Sequence, residues 1–228
     1  MAMVIPHPAF KPAARTQDSL LAPLESQALR WLAAHMPRAV NSDHLTILGG
    51  LAMVAVGGCF WAARWNPYAL LGVVLALVLN WFGDSLDGTL ARYRNQQRPR
   101  YGFYVDHVID AIGTLCLFGG LALGGLMSPL IAAAVVIAFY LLSIEAYLAT
   151  YTVANFRLSH FKFGPTELRV LLAVGAVVAI TRPYVHIASR QYLLFDVGGV
   201  IASIGMLFIF AIATIRTTAR LYREEPLP

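Results

Sequence analysis

Four aspartates, Asp84, Asp87, Asp106 and Asp110, define the chemistry open to this 228-residue chain. They are four of its twelve acidic residues, gathered in the stretch 84–110 between two apolar segments long enough to cross a bilayer. A carboxylate at membrane depth is costly, and its default reading is functional. Asp84 and Asp87 are three residues apart and Asp106 and Asp110 four apart, so on helices each pair shares a face. Four converging carboxylates repel one another unless cations hold them, and an all-oxygen donor set suits Mg²⁺ or Mn²⁺. Gly88 and Ala91 continue the face of the first pair with almost no side chain, which leaves room for a ligand. Arg92 follows with a permanent charge matched to phosphate. The competing structural reading is a buried ion-pair cluster, but one nearby arginine cannot neutralise four aspartates.

Written as a pattern, the stretch is D-x2-D-G-x2-A-R-x9-G-x3-D-x3-D. It resembles the signature of the CDP-alcohol phosphotransferase (CDP-alcohol phosphatidyltransferase) family, and Asp84, Asp87, Gly88, Ala91, Arg92, Gly102, Asp106 and Asp110 supply all of its fixed positions. The resemblance implies an integral membrane enzyme of phospholipid biosynthesis. Such an enzyme transfers a substituted phosphate group from a CDP-linked donor to an alcohol acceptor and releases CMP. It also implies a two-metal Mg²⁺ or Mn²⁺ site with Asp84, Asp87 and Asp106 as ligands and Asp110 as a ligand or the general base. Gly88, Ala91, Arg92 and Gly102 would line the nucleotide and its phosphates, at least one substrate would be a lipid, and the enzyme would be a homodimer.

The elements that must position these residues follow from composition. With 58% hydrophobic and 13% charged residues, the chain is too apolar for a soluble domain, and several runs approach the roughly 20 residues that span a bilayer. The expectation is an all-α polytopic membrane protein with six transmembrane helices behind an amphipathic surface helix. Its parts are a loosely ordered tail over 1–16, an interfacial helix over 17–40, a six-helix catalytic domain over 41–217 and a C-terminal tail over 218–228. In the interfacial helix, Leu24, Ala28, Trp31 and Leu32 recur at helical spacing, which fits a membrane surface or packing on the bundle. The spans are expected at about 44–63, 68–91, 103–126, 130–151, 166–181 and 196–215. Cys59 and Cys116 lie in apolar runs without metal-ligand or redox spacing and read as core packing. No internal repeat or low-complexity tract stands out.

Charge placement orients the bundle. Of the 17 lysines and arginines, all but Arg64, Arg182 and Arg190 fall on the side of the amino terminus when six helices alternate. The positive-inside bias then places both termini and the aspartates at the cytoplasmic face, which in a bacterium is that of the inner membrane. The formal charge of +5 fits the same bias and attraction to anionic lipid better than a nucleic-acid partner.

Several residues carry two readings. Ser42 or Asp43 can cap the first membrane helix, while the family's nucleotide-site motif at this point makes Asp43 and Thr46 candidate nucleotide contacts. Asp106-His107 and Gly164-Pro165-Thr166-Glu167 resemble the choline/ethanolamine phosphotransferase branch, in which His107 would be the base, oriented by Glu167, and diacylglycerol the acceptor. Otherwise His107 is an interfacial histidine bonded to its own helix or a neighbour, and Glu167 complements a helix dipole. The shortness of the chain favours the compact members that use CDP-diacylglycerol with a polar alcohol. Arg94, Arg98, Arg100, Lys162 and Arg169 could hold a phosphorylated acceptor or simply be positive-inside charges. Glu145 reads as a partner for a polar group in the bundle.

A divalent-cation transporter is the alternative of another class. It would spread polar residues along a path through the bilayer, whereas here they gather at one mouth and no inverted repeat is visible. Nucleic-acid binding is a weaker reading still, because the basic loops alternate with membrane spans and form no continuous stripe with stacking aromatics.

Overall fold

Each long apolar run folds into a helix in a computed structural model that describes residues 22–153 and 164–225. In chain order these are α1 (Ala22–His35), α2 (Ser42–Ala62), α3 (Ala69–Tyr93), α4 (Pro99–Leu123), α5 (Pro129–Val153), α6 (Pro165–Thr181) and α7 (Leu194–Glu224). A short antiparallel hairpin, β1 (Tyr184–Ile187) and β2 (Arg190–Leu193), precedes α7. The helices α2, α3, α4, α5 and α7 are long and apolar enough to cross a membrane. Together they make this an integral membrane protein. The tail 1–16 and Lys162 lie outside the described residues.

Helix boundaries follow local chemistry, and some differ from expectation. The cap of α2 is Asn41, neither Ser42 nor Asp43: its side chain accepts from the His44 N–H at 3.0 Å. The imidazole of His44 in return accepts from the Asn41 N–H at 3.4 Å. Pro99 opens α4 at its first position, where its missing N–H costs nothing, so the helix begins four residues before Phe103. The last helix continues past Ile215 to Glu224, which makes most of the expected C-terminal tail helical. The hairpin was not expected. Its turn is made by Ala188 and Ser189, both at positive φ (46° and 68°), without the glycine or asparagine that usually marks such a turn.

Packing places α2 at the centre, against α3 on one side and α4 on the other; α6 lies on α3, α5 on α4 and α7, and α1 on α3. The α2–α3 crossing is close because a side chain at Gly83 would run into the Leu45 carbonyl and the Gly49 backbone. Small residues let membrane helices approach in this way. Away from the aspartates the core is apolar: Val56 and Phe60 of α2 meet Leu70 and Val73 of α3, and Leu117 and Leu121 of α4. Phe195 at the start of α7 packs edge-on against Phe60, with ring centroids 5.5 Å apart.

α1 packs on the bundle through Leu29 and Ala33, which join Leu45, Leu86 and Leu90 in a second buried cluster. Its expected stripe is offset from this face: Ala28 and Trp31 point outward and Leu32 is half-buried, while the side chain of Leu24 lies outside the described residues. Glu25 of α1 accepts from the Trp81 indole at 2.8 Å and from the Thr166 hydroxyl at 2.9 Å. Arg94 donates to the carbonyls of Met36, Pro37 and Val40, just beyond the end of α1. The helix is therefore tied down at both ends.

Candidate active site

The four aspartates come together around one small cavity between α2, α3 and α4. Thr46, Gly49, Gly50 and Met53 of α2 line it with Asn80, Asp84 and Asp87 of α3 and Asp106, Ile109 and Asp110 of α4. The spacings of three and four bring each pair to the same helix face, and the packing of α2 on both α3 and α4 brings the two faces within reach of one space.

Asp87 is the most buried of the four. It is buried, with Oδ2 accepting from the Thr46 hydroxyl at 2.6 Å and Oδ1 from the Gly88 N–H. The Ser42 hydroxyl donates to the Asp87 carbonyl at 3.0 Å, so the first turn of α2 is bound to α3 beside the carboxylate. Asp84 accepts from Arg169 Nη2 of α6. Arg169 Nε donates to Asn80 Oδ1 at 2.7 Å, and Asn80 Nδ2 donates to the Gly49 carbonyl at 3.0 Å.

The other candidates distribute around this centre. Thr46 serves the site through Asp87. Asp43 pairs with Arg98, whose guanidinium also lies over the Tyr101 ring at 4.2 Å. Ala91 is half-buried, and Arg92 is exposed with Nη2 donating to Thr89 Oγ1 at 3.1 Å. Gly102 lies in the first turn of α4 with open space where a side chain would stand. Arg100 is exposed beside it. Arg169, counted above among possible acceptor contacts, meets Asp84 and Asn80, and Arg94 serves the α1–α2 connection.

His107 is not among the described residues that line the cavity. Its Nδ1 bonds the Phe103 carbonyl, and its ring sits 4.1 Å from that of Phe103 and 4.8 Å from that of Tyr147, centroid to centroid. Glu167 closes a capping box at the start of α6, accepting from the Gly164 N–H at 3.0 Å. Glu145 accepts from the Thr217 hydroxyl at 3.0 Å and joins α5 to α7, the partner role read for it from the sequence.

Asn80 and the pairing of Arg169 with Asp84 were not foreseen. Asn80 carried a usable signal: it is a lone amide in an apolar run, four residues before Asp84 and so on its face. The donor set, four carboxylates on one cavity, fits a hard divalent cation. As the side chains stand, no three carboxylate, imidazole or thiol groups among the described residues are close enough together to hold an ion. Asp84 and Asp87 are turned onto Arg169 and onto Thr46 and Gly88 instead.

Fold and site define a polytopic helical membrane protein with an acidic centre between its first three membrane-length helices. The chain belongs to the CDP-alcohol phosphatidyltransferase family, which matches residues 40–216. It is accordingly a phosphotransferase of phospholipid synthesis that works by CDP-alcohol transfer, and the transporter reading is set aside. Among solved structures, the crystal structure of the Mycobacterium tuberculosis phosphatidylinositol phosphate synthase with CDP-DAG bound is similar. Its TM-score is 0.47 with 20% sequence identity, over 89% of this chain and 92% of that one. Among curated proteins, none matches this chain.

Proposed function

We propose that this enzyme transfers a phosphatidyl group from CDP-diacylglycerol to a polar alcohol and releases CMP, with Mg²⁺ or Mn²⁺ as its cofactor. The observation that carries this reading is the meeting of Asp84, Asp87, Asp106 and Asp110 on one cavity, in the residue pattern of a phosphatidyltransferase family. The acceptor hydroxyl oxygen attacks the phosphorus of the phosphatidyl group, the bond from that phosphorus to CMP breaks, and the hydroxyl proton passes to a carboxylate. Asp110 suits that last task, because it lines the cavity on an exposed part of α4. The bonds that His107 makes within its own helix favour a structural role for it.

The bound divalent cations would neutralise diphosphate charge and hold the reacting groups in line. Asp84, Asp87 and Asp106 would hold them, with Asp110 as a ligand or the base; the Asp87 oxygens now accept from Thr46 and the Gly88 N–H. Arg92 and the open space at Gly102 suit the nucleotide's phosphates. Arg98, Arg100 and Lys162 are the candidates for a phosphorylated acceptor. Apolar Met53 and Ile109 on the cavity wall suit a lipidic substrate.

We further infer six spans, with the site at the cytoplasmic face and α1 resting on the membrane surface there. α6 has 17 residues, about 26 Å at the helical rise, which is enough for a thin crossing. It starts level with Asp84, where Arg169 is bound. α7 starts beside the first turn of α5, where Asp196 accepts two bonds of 2.6 Å from Ser128. α6 therefore runs from one end of the bundle to the other. A homodimer is the assembly that the family resemblance implies.

The test is CMP release by purified protein with Mg²⁺ or Mn²⁺ and two sets of substrates. One set pairs CDP-diacylglycerol with glycerol 3-phosphate, serine, inositol or inositol phosphate, and the other pairs CDP-choline or CDP-ethanolamine with diacylglycerol. Turnover in the first set is expected. Turnover confined to the second would overturn the donor and return His107 and Glu167 to the catalytic centre.

A further inference from the structure

Arg169 reaches the acidic site from α6, outside the signature stretch, and its attachment is specific. Its side chain is 14% exposed. Nη2 donates to Asp84 Oδ2 and Nε to Asn80 Oδ1 at 2.7 Å, so two donors of one rigid guanidinium are fixed. Asn80 is buried and is itself anchored by the Gly49 carbonyl at 3.0 Å, at the crossing where α2 and α3 touch backbone to backbone. A guanidinium aimed by a buried amide, which is fixed in turn to a neighbouring helix, is held far more firmly than a loop charge facing headgroups.

The carboxylate it binds is one that a divalent cation would also claim. Four aspartates around one cavity need positive charge whether or not a cation is bound, and Arg169 supplies one charge permanently. A cation at Asp84 would compete with the guanidinium for Oδ2 and would repel it at short range. We infer that Arg169, aimed by Asn80, is an internal counter-cation that holds Asp84 in the metal-free enzyme and opposes metal loading there. It is a positioning residue, and the inference rests on the divalent-metal reading above.

The test measures Mn²⁺ binding to the purified full-length protein in lipid nanodiscs, from the electron paramagnetic resonance of free Mn²⁺, together with melting temperature with and without Mn²⁺. Arg169→Gln removes the charge, and the expected result is Mn²⁺ affinity higher by about tenfold, the equivalent of one charge-assisted hydrogen bond no longer in competition. Its melting temperature should fall below wild type without Mn²⁺ and recover when Mn²⁺ is added. Asn80→Ala should shift affinity in the same direction by less, and Arg169→Lys should lie between wild type and Arg169→Gln. These two variants carry the test if Arg169→Gln does not fold. Mn²⁺ binding that is weak but saturable in the wild type and tighter in the variants would support the inference. Saturable wild-type binding with unchanged or weaker affinity in the variants, and stability lost equally with and without Mn²⁺, would overturn this inference alone. Absence of binding in every form would overturn the metal reading and this inference with it.

Discussion

The two ends of the bundle are built by different means. At the aspartate end, neighbouring helices are joined by polar side chains: Thr46 to Asp87, Arg169 to Asp84 and Asn80, Glu25 to Trp81 and Thr166. Toward the hairpin end the same helices meet through apolar packing of Val56, Phe60, Leu70, Val73, Leu117, Leu121 and Phe195. Polar bonds have direction, so they can fix a carboxylate in one orientation, and their loss leaves a neighbour unpaired. Apolar packing holds helices together without specifying any one atom. The division between chemistry and cohesion is one of emphasis: Leu45, Leu86 and Leu90 also pack apolarly near the aspartates, and Ser128 bonds Asp196 near the hairpin.

The largest effect should come from the aspartates. Asp84→Asn, Asp87→Asn and Asp106→Asn are each expected to lower CMP release by about a thousandfold or more while the protein still folds, since neutral amides cannot replace anionic donors. Near wild-type turnover in any of them would break the separation between chemistry and cohesion at its first point. Phe60→Ala addresses the other end. It should destabilise by about 3–5 kcal/mol, as expected for an aromatic removed from a close-packed site, with turnover per folded molecule unchanged. A selective loss of turnover in that variant would show that the apolar half also sets active-site geometry.

The smallest effect sharpens the boundary of the site. His107→Ala should change turnover by less than about threefold, because its imidazole is engaged with the Phe103 carbonyl and two flanking rings. A loss on the order of a hundredfold, typical for a general base, would move the base from Asp110 to His107.

The sequence alone made the aspartate cluster and most membrane helices readable, because charge in an apolar run and long uninterrupted hydrophobicity are local signals. It could not reveal what depends on a partner remote in the chain. Arg169 reads as an ordinary loop-side cation until α6 is placed against α3, 85 residues away in sequence from Asp84. Glu167 offered both a catalytic and a helix-dipole reading, and in the fold it caps α6 through its bond to Gly164, three residues back. The cap of α2 was misplaced by one or two residues because Asn41, Ser42 and Asp43 are all good capping types, and only the reciprocal bond with His44 separates them. The hairpin escaped notice because its strands have four residues each and its turn lacks glycine. On α1, the apolar residues fill more than one face, and contact with Leu86 and Leu90 selects Leu29 and Ala33 as the inner one.

The most direct measurement of the central claim is CMP release from CDP-diacylglycerol before chelation, after EDTA, and after Mg²⁺ or Mn²⁺ is restored. The account predicts that turnover stops on chelation and returns with the cation in the wild type. In Asp84→Asn and Asp106→Asn it should not return at the same cation concentration. CMP release that persists in EDTA, or that the aspartate variants recover fully, would contradict the assignment of this acidic cavity as the catalytic centre.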